Sequence, residues 1–143
     1  MIRRIASIYE RRGSILISAD HQTQAGFWVG DAQVITLSDP SPEQLASAIC
    51  QALERSRTGV PTPPPSMRLD GPLLKAANVS SWKTFVQSAK HVGVCQSADS
   101  LEITPYKNLG AKEGFEPVAS DAVQLPLGSD QLGTVVIQAL GRV

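Results

Sequence analysis

The chain carries no net charge: 13 lysines and arginines balance 13 aspartates and glutamates over 143 residues. A domain built mainly to hold nucleic acid carries a basic excess, and so does one that adheres to an anionic lipid surface. No direct nucleic-acid contact and no membrane contact is therefore expected. Long apolar runs are missing as well. A membrane helix needs roughly 20 consecutive apolar residues, and polar residues interrupt every stretch before that. The opening Met1-Ile2-Arg3-Arg4 leads into polar positions and not into an apolar segment of signal-peptide length, so a cytoplasmic location is the expectation.

Histidine and cysteine are scarce, with two of each: His21, His91, Cys50 and Cys95. These four would have to supply most of a zinc site, and His21 and Cys50 stand in no ligand spacing. No metal and no cofactor is expected. His91 and Cys95 are four apart and form the one Cys–His pair close in sequence, but Val92 and Val94 place Cys95 in a core strand rather than in a thiolate-stabilising setting. Both cysteines read as buried free thiols. The Gly-x-Ser-x-Gly elbow, the Gly-x-Gly-x-x-Gly turn and the Walker loop are all absent. The chain thus reads as a binding protein and not an enzyme. One enzymatic alternative stays open. Asp20, Asp31 and Asp39 fall near expected strand ends, where paired carboxylates could serve a small hydrolase; aspartate also favours such turns for backbone reasons alone.

What is present suits one globular domain spanning residues 1–143. Hydrophobic residues make up 42% and charged ones 18%, and a chain of this length buries roughly two thirds of its unfolded surface. The first third predicts strands over residues 3–9, 14–19, 25–29 and 32–37, with turns at Arg11-Arg12-Gly13 and at Gly30-Asp31 and a loop over 21–24. A helix follows: Ser41 caps, Pro42 takes the first position, and Leu45, Ile49, Ala52 and Leu53 form its apolar stripe. Residues 58–69, with Pro61, Pro63, Pro64 and Pro65, read as a rigid connector.

Beyond it, residues 72–77 predict a short helix and Ser80 caps another carrying Trp82, Phe85, Val86 and Ala89 on one face. Residues 92–96 and 101–104 predict a hairpin, 108–114 a mobile loop, and 123–127 a last strand. Ser129 caps a final helix that Gly141 ends. Strands followed by helices, without βαβ alternation, imply an α+β fold: a mostly antiparallel sheet with helices packed on one face.

The second half bears a family likeness. The segment Leu73-Leu74-Lys75-Ala76-Ala77-Asn78-Val79-Ser80-Ser81-Trp82-Lys83-Thr84-Phe85, followed by Ala89-Lys90, resembles the immunity proteins of contact-dependent growth inhibition (CDI) systems. So do Gly59-Val60-Pro61-Thr62-Pro63 before it and Gln131-Leu132-Gly133-Thr134-Val135-Val136 with Ala139-Leu140 after it. The resemblance implies an antitoxin that forms a heterodimer with the C-terminal toxin domain of a cognate effector, commonly a nuclease, and occludes its active site. It brings no catalytic motif, and it does not locate the binding surface. Charge suggests where that surface lies. Between residues 92 and 130 six acidic side chains face two basic ones, a bias suited to a basic nuclease cleft. Asp99, Glu102, Glu113 and Glu116 are the candidate toxin contacts. A secretion-system chaperone or adaptor, docking through the proline segment and the acidic loops, is the other alternative.

Overall fold

The computed structural model describes residues 3–141. Strands β1 (Arg4–Arg11) and β2 (Ser14–Thr23) form an antiparallel hairpin. Its two-residue turn, Arg12-Gly13, has φ of 52° and 84°, the doubly positive geometry that matches strand twist. β3 (Trp28–Ser38) pairs with β2, and helix α1 (Pro42–Arg55) follows. After β4 (Thr58–Val60) come the short helices α2 (Gly71–Ala76) and α3 (Trp82–Ser88). Strands β5 (Ala89–Gln96), β6 (Ser100–Asn108), β7 (Phe115–Pro117) and β8 (Val123–Pro126) and helix α4 (Leu132–Gly141) complete the chain. The sheet runs β3-β2-β1-β5-β6-β7, with β8 beside β6 and β4 parallel to the end of β2.

The α+β class and the antiparallel sheet are as expected. Strand alternation decides where the core lies. Ala6 and Ile8 on β1 align with Ala19 and Ile17 on β2 and with Val94 and Val92 on β5. All six are buried beneath α1 and α4. Ser41 caps α1 with a reciprocal Gln44 bond, and Leu45, Ile49, Ala52 and Leu53 face the sheet, as the sequence spacing predicted. The opposite face holds a second, smaller cluster that the expectation of helices on one face did not include. There Leu16 and the half-buried Tyr9 pack under α2 and α3 against Leu74, Phe85 and Val86.

Several local expectations need correction. The first third has three strands, not four, because β3 runs straight through Gly30-Asp31. The β2–β3 register passes from Ser18↔Val34 to Asp20↔Gly30, a bulge that sets three β3 residues against one on β2 and takes up the irregularity a turn was expected to supply. Residues 21–23, read as loop, continue β2 because β3 and β4 both bond to it. The proline connector is likewise tied in: β4 pairs with β2, and Thr62 accepts a bond from the Ala25 amide at 3.1 Å. Cys50 is exposed, not buried, since the apolar stripe of α1 leaves it on the outer side; half-buried Cys95 is also a free thiol.

The two long helices meet at a glycine. A Cβ on Gly133 would lie 1.9 Å from the Pro42 carbonyl oxygen, inside the first turn of α1. Neither backbone can yield without opening the α1–α4 contact. Gly133→Ala is expected to lower unfolding free energy by about 3 kcal/mol, read as a fall in the urea midpoint. A midpoint within error of wild type would disprove the close approach.

Candidate functional site

On the face opposite the large core, α2 and α3 cover only part of the sheet and leave a cleft of about 300 Å³. Its floor is Ser7 on β1, Ser18 and Asp20 on β2, and Gly30 on β3. Leu69, Asp70, Pro72 and Leu73 in and just before α2 and Trp82 on α3 line it as well, with Trp28 and Asp31 from β3. Gly30 keeps the floor open, because a Cβ there would sit 3.2 Å from Ser18 Oγ and 4.0 Å from Asp20 Oδ1.

Asp20 is the chemically unusual member. The Ser7 hydroxyl donates to its Oδ2 at 2.6 Å. Burial raises its carboxyl from the ordinary value to about 6, against the pull of Ser7 and the charge of nearby His21. Among the described residues no cation forms an ion pair with it. Its neighbours differ. Asp31 borders the cleft but gives its carboxylate to Arg55 Nε at 2.7 Å and to His21 Nε2 at 3.3 Å. Burial opposes its charge, yet these hydrogen bonds hold the carboxyl below its usual range. His21 is fixed in turn, its Nδ1 accepting from the Arg57 amide at 3.1 Å. Asp70 at the start of α2 is paired with Arg68 at 3.2 Å.

An aromatic stack flanks the cleft. His91 lies between Tyr9 and Tyr106, with ring centroids 4.3 Å from each. Its Nδ1–H donates to the Ile8 carbonyl at 3.1 Å, and burial lowers its pKa to about 4. Burial and then the charge of Asp20 push both tyrosine hydroxyls upward. Tyr106 crosses the sheet here because Gly93 has no side chain; a Cβ would meet its ring at 3.0 Å.

Of the three aspartates proposed for hydrolysis, the structure brings Asp20 and Asp31 to one cleft. Asp39 does not join them. It follows the far end of β3, where its amide bonds to Gly13. The expected acidic contacts are spread out. Asp99 is exposed in the β5–β6 turn and Glu102 is exposed on β6. Glu113 is exposed in the loop 109–114, and Glu116 on β7 stands opposite Lys107. Alternation along β6 places Glu102 on the cleft face and Lys107, with Glu116, on the other. His91 and Cys95 share a strand face but lie about 13 Å apart along β5; Cys95 instead accepts from the Arg3 guanidinium at 3.3 Å.

Sequence reasoning passed over Ser7, Ser18, Trp28, Gly30 and Asp70. A period-two signal existed for part of this set, since Leu16, Ser18 and Asp20 alternate with the buried Ile15, Ile17 and Ala19.

No protein-family profile and no curated protein matches the chain. Solved structures do. A chain of the CdiA-CT/CdiI toxin and immunity complex from Yersinia pseudotuberculosis shares this fold. The TM-score is 0.77 at 17% identity, over 99% of this chain and 98% of that one. A protein of unknown function from Neisseria meningitidis superposes with a TM-score of 0.81 at 19% identity, over 99% of this chain and 95% of that one. At these identities the likeness establishes the fold.

Asp20 and His91 tilt the pH dependence of stability in opposite directions. Asp20 binds its proton more tightly folded, at about 6 against 3.8. Its contribution is therefore full at low pH and is lost as pH rises through about 6. His91 binds its proton more weakly folded, at about 4 against 6.5, so its contribution is full above pH 6.5 and is lost as pH falls toward about 4. Each shift corresponds to about 3 kcal/mol, and the two nearly cancel. Asp20→Asn is expected to raise stability by roughly 2 kcal/mol at pH 7 and to change it little at pH 4. Urea titrations at the two pH values check this; equal stability of variant and wild type at pH 7 would show that Asp20 is well solvated.

Proposed function

We propose that the protein is a cytoplasmic immunity protein. It binds the C-terminal toxin domain of a cognate CDI effector as a heterodimer and neutralises that domain, a nuclease, by occluding its active site. The observation that carries this reading is the fold shared, over nearly the whole of both chains, with a chain of a toxin and immunity complex. The resemblance read in residues 73–85 and 131–136 points the same way. Among the described residues no helix is long and apolar enough to cross a membrane, which is compatible with the compartment proposed.

In this reading the protein turns nothing over and acts by filling space on its partner. Asp99, Glu102, Glu113 and Glu116 then serve association at long range. A summed negative field attracts a basic nuclease surface without the four residues having to share one face. Reversing all four charges is expected to slow association about tenfold or more at low salt and to flatten its salt dependence, with little change in dissociation. Unchanged association kinetics would remove the steering role. The function itself is tested by co-expressing the chain with the product of the gene directly upstream. Expected are a heterodimer on gel filtration and protection of growing cells. A toxin left fully active by an excess of the purified chain would overturn the reading.

A second reading keeps the cleft for catalysis. Ser7 and Asp20 stand within hydrogen-bond reach, as a hydroxyl and a proton acceptor do in hydrolases. Asp31, committed to Arg55 and His21, is poorly placed to assist. Turnover of ester substrates that Ser7→Ala abolishes would favour this reading over the first.

A further inference from the structure

We propose that the Asp20 cleft is the receptor for one cationic side chain, an arginine or lysine presented by the toxin, and so the anchoring point of the complex. The inference rests on the immunity reading above and adds to it the place and the chemistry of the contact.

Charge is the first argument. Three carboxylates border the cleft, and two have their cation within the chain: Asp31 has Arg55 and Asp70 has Arg68. Among the described residues Asp20 has a single hydroxyl on Oδ2 and no cation, while its Oδ1 lies 4.0 Å from where a Cβ on Gly30 would stand. A largely buried carboxylate without a counter-ion is held at a cost, and an entering cation removes that cost. Neutral or anionic groups gain nothing from it.

Shape is the second. The cleft, about 300 Å³, is at the lower limit for small-molecule sites, which suits one long side chain better than a helix or a hairpin. Trp28 on β3 and Trp82 on α3 both line it. Indoles lining a carboxylate-bearing cleft are surroundings that a planar guanidinium exploits by stacking while its N–H groups meet the carboxylate.

The rim is the third. Leu69, in the lining, is 46% exposed, and Met67 on the same segment is 57% exposed. Exposed apolar side chains beside a desolvated charge suit the arrangement in which a few residues dominate binding. It also explains why an unpaired aspartate is kept where an asparagine would stabilise the free protein: the gain appears only in the complex.

The test uses the whole chain and the toxin encoded upstream. Two variants empty or block the cleft by different means. Asp20→Asn removes the charge at constant shape, and Gly30→Ala keeps the charge but places a methyl group over the floor. Each is expected to weaken the complex about 30-fold or more, mainly through faster dissociation, while reversal of the exposed Glu54 on α1, across the sheet from the cleft, leaves dissociation unchanged. A complex that forms with wild-type affinity in both variants would overturn the cleft proposal and leave the immunity function standing. If the wild-type chain binds no toxin, the function proposed above fails. The cleft is then judged by titrating the chain with ethylguanidinium and watching the Trp28 and Trp82 indole N–H resonances. Saturable shifts lost in Asp20→Asn would sustain a cation receptor; indole signals that do not respond would sink it.

Discussion

The register of β1 between β2 and β5 is the constraint from which the molecule's two sides follow. With Ile8 set against Ile17 and Val92, the apolar members of three strands face α1 and α4. Their alternates, Ser7, Ser18 and Asp20 among them, must then face the other way. A slip of β1 by one residue would turn Ser7 into the large core and Ile8 onto the cleft face. Core and cleft are thus one decision made once, and the depth of the core beneath the sheet gives the cleft a rigid floor.

That floor carries opposed strains. Asp20 is ionised at neutral pH in surroundings that favour its acid, and His91 is neutral in surroundings that disfavour its cation. Both arise from the same cause, low water access on the sheet face under α2 and α3. Proteins commonly keep such desolvated groups where function needs them and accept a less stable fold in return. The surrounding design concentrates this at a single carboxylate, since Asp31 and Asp70 are each neutralised by an arginine of the same chain.

The fold is shared with a chain of a toxin and immunity complex, but folds host many functions. The cleft adds its own chemistry: a carboxylate with no ion pair among the described residues, and two indoles in the same lining. Spread-out surface acids suit the long-range phase of association, and one buried charge suits the short-range phase. The two tasks need different geometry.

Sequence alone determined the elements whose signals are local. The Ser41–Gln44 cap, the apolar stripe of α1, the β5–β6 hairpin and the α+β class were all legible, because caps, helical spacing and turn residues act within a few positions of one another. The bulge that carries β3 through Gly30-Asp31 was not, because pairing with β2 overrode a turn-like dipeptide. Nor was the exposure of Cys50, or the second face covered by α2 and α3. Two of the aspartates weighed for a hydrolase, Asp20 and Asp31, border one cleft, yet nothing in the chain order brings Ser7, Trp28, Asp70 and Trp82 to Asp20. That set is assembled by strand pairing and helix packing across some 75 positions of sequence. Only the tertiary structure decided which carboxylate would find an arginine and which, among the described residues, would not.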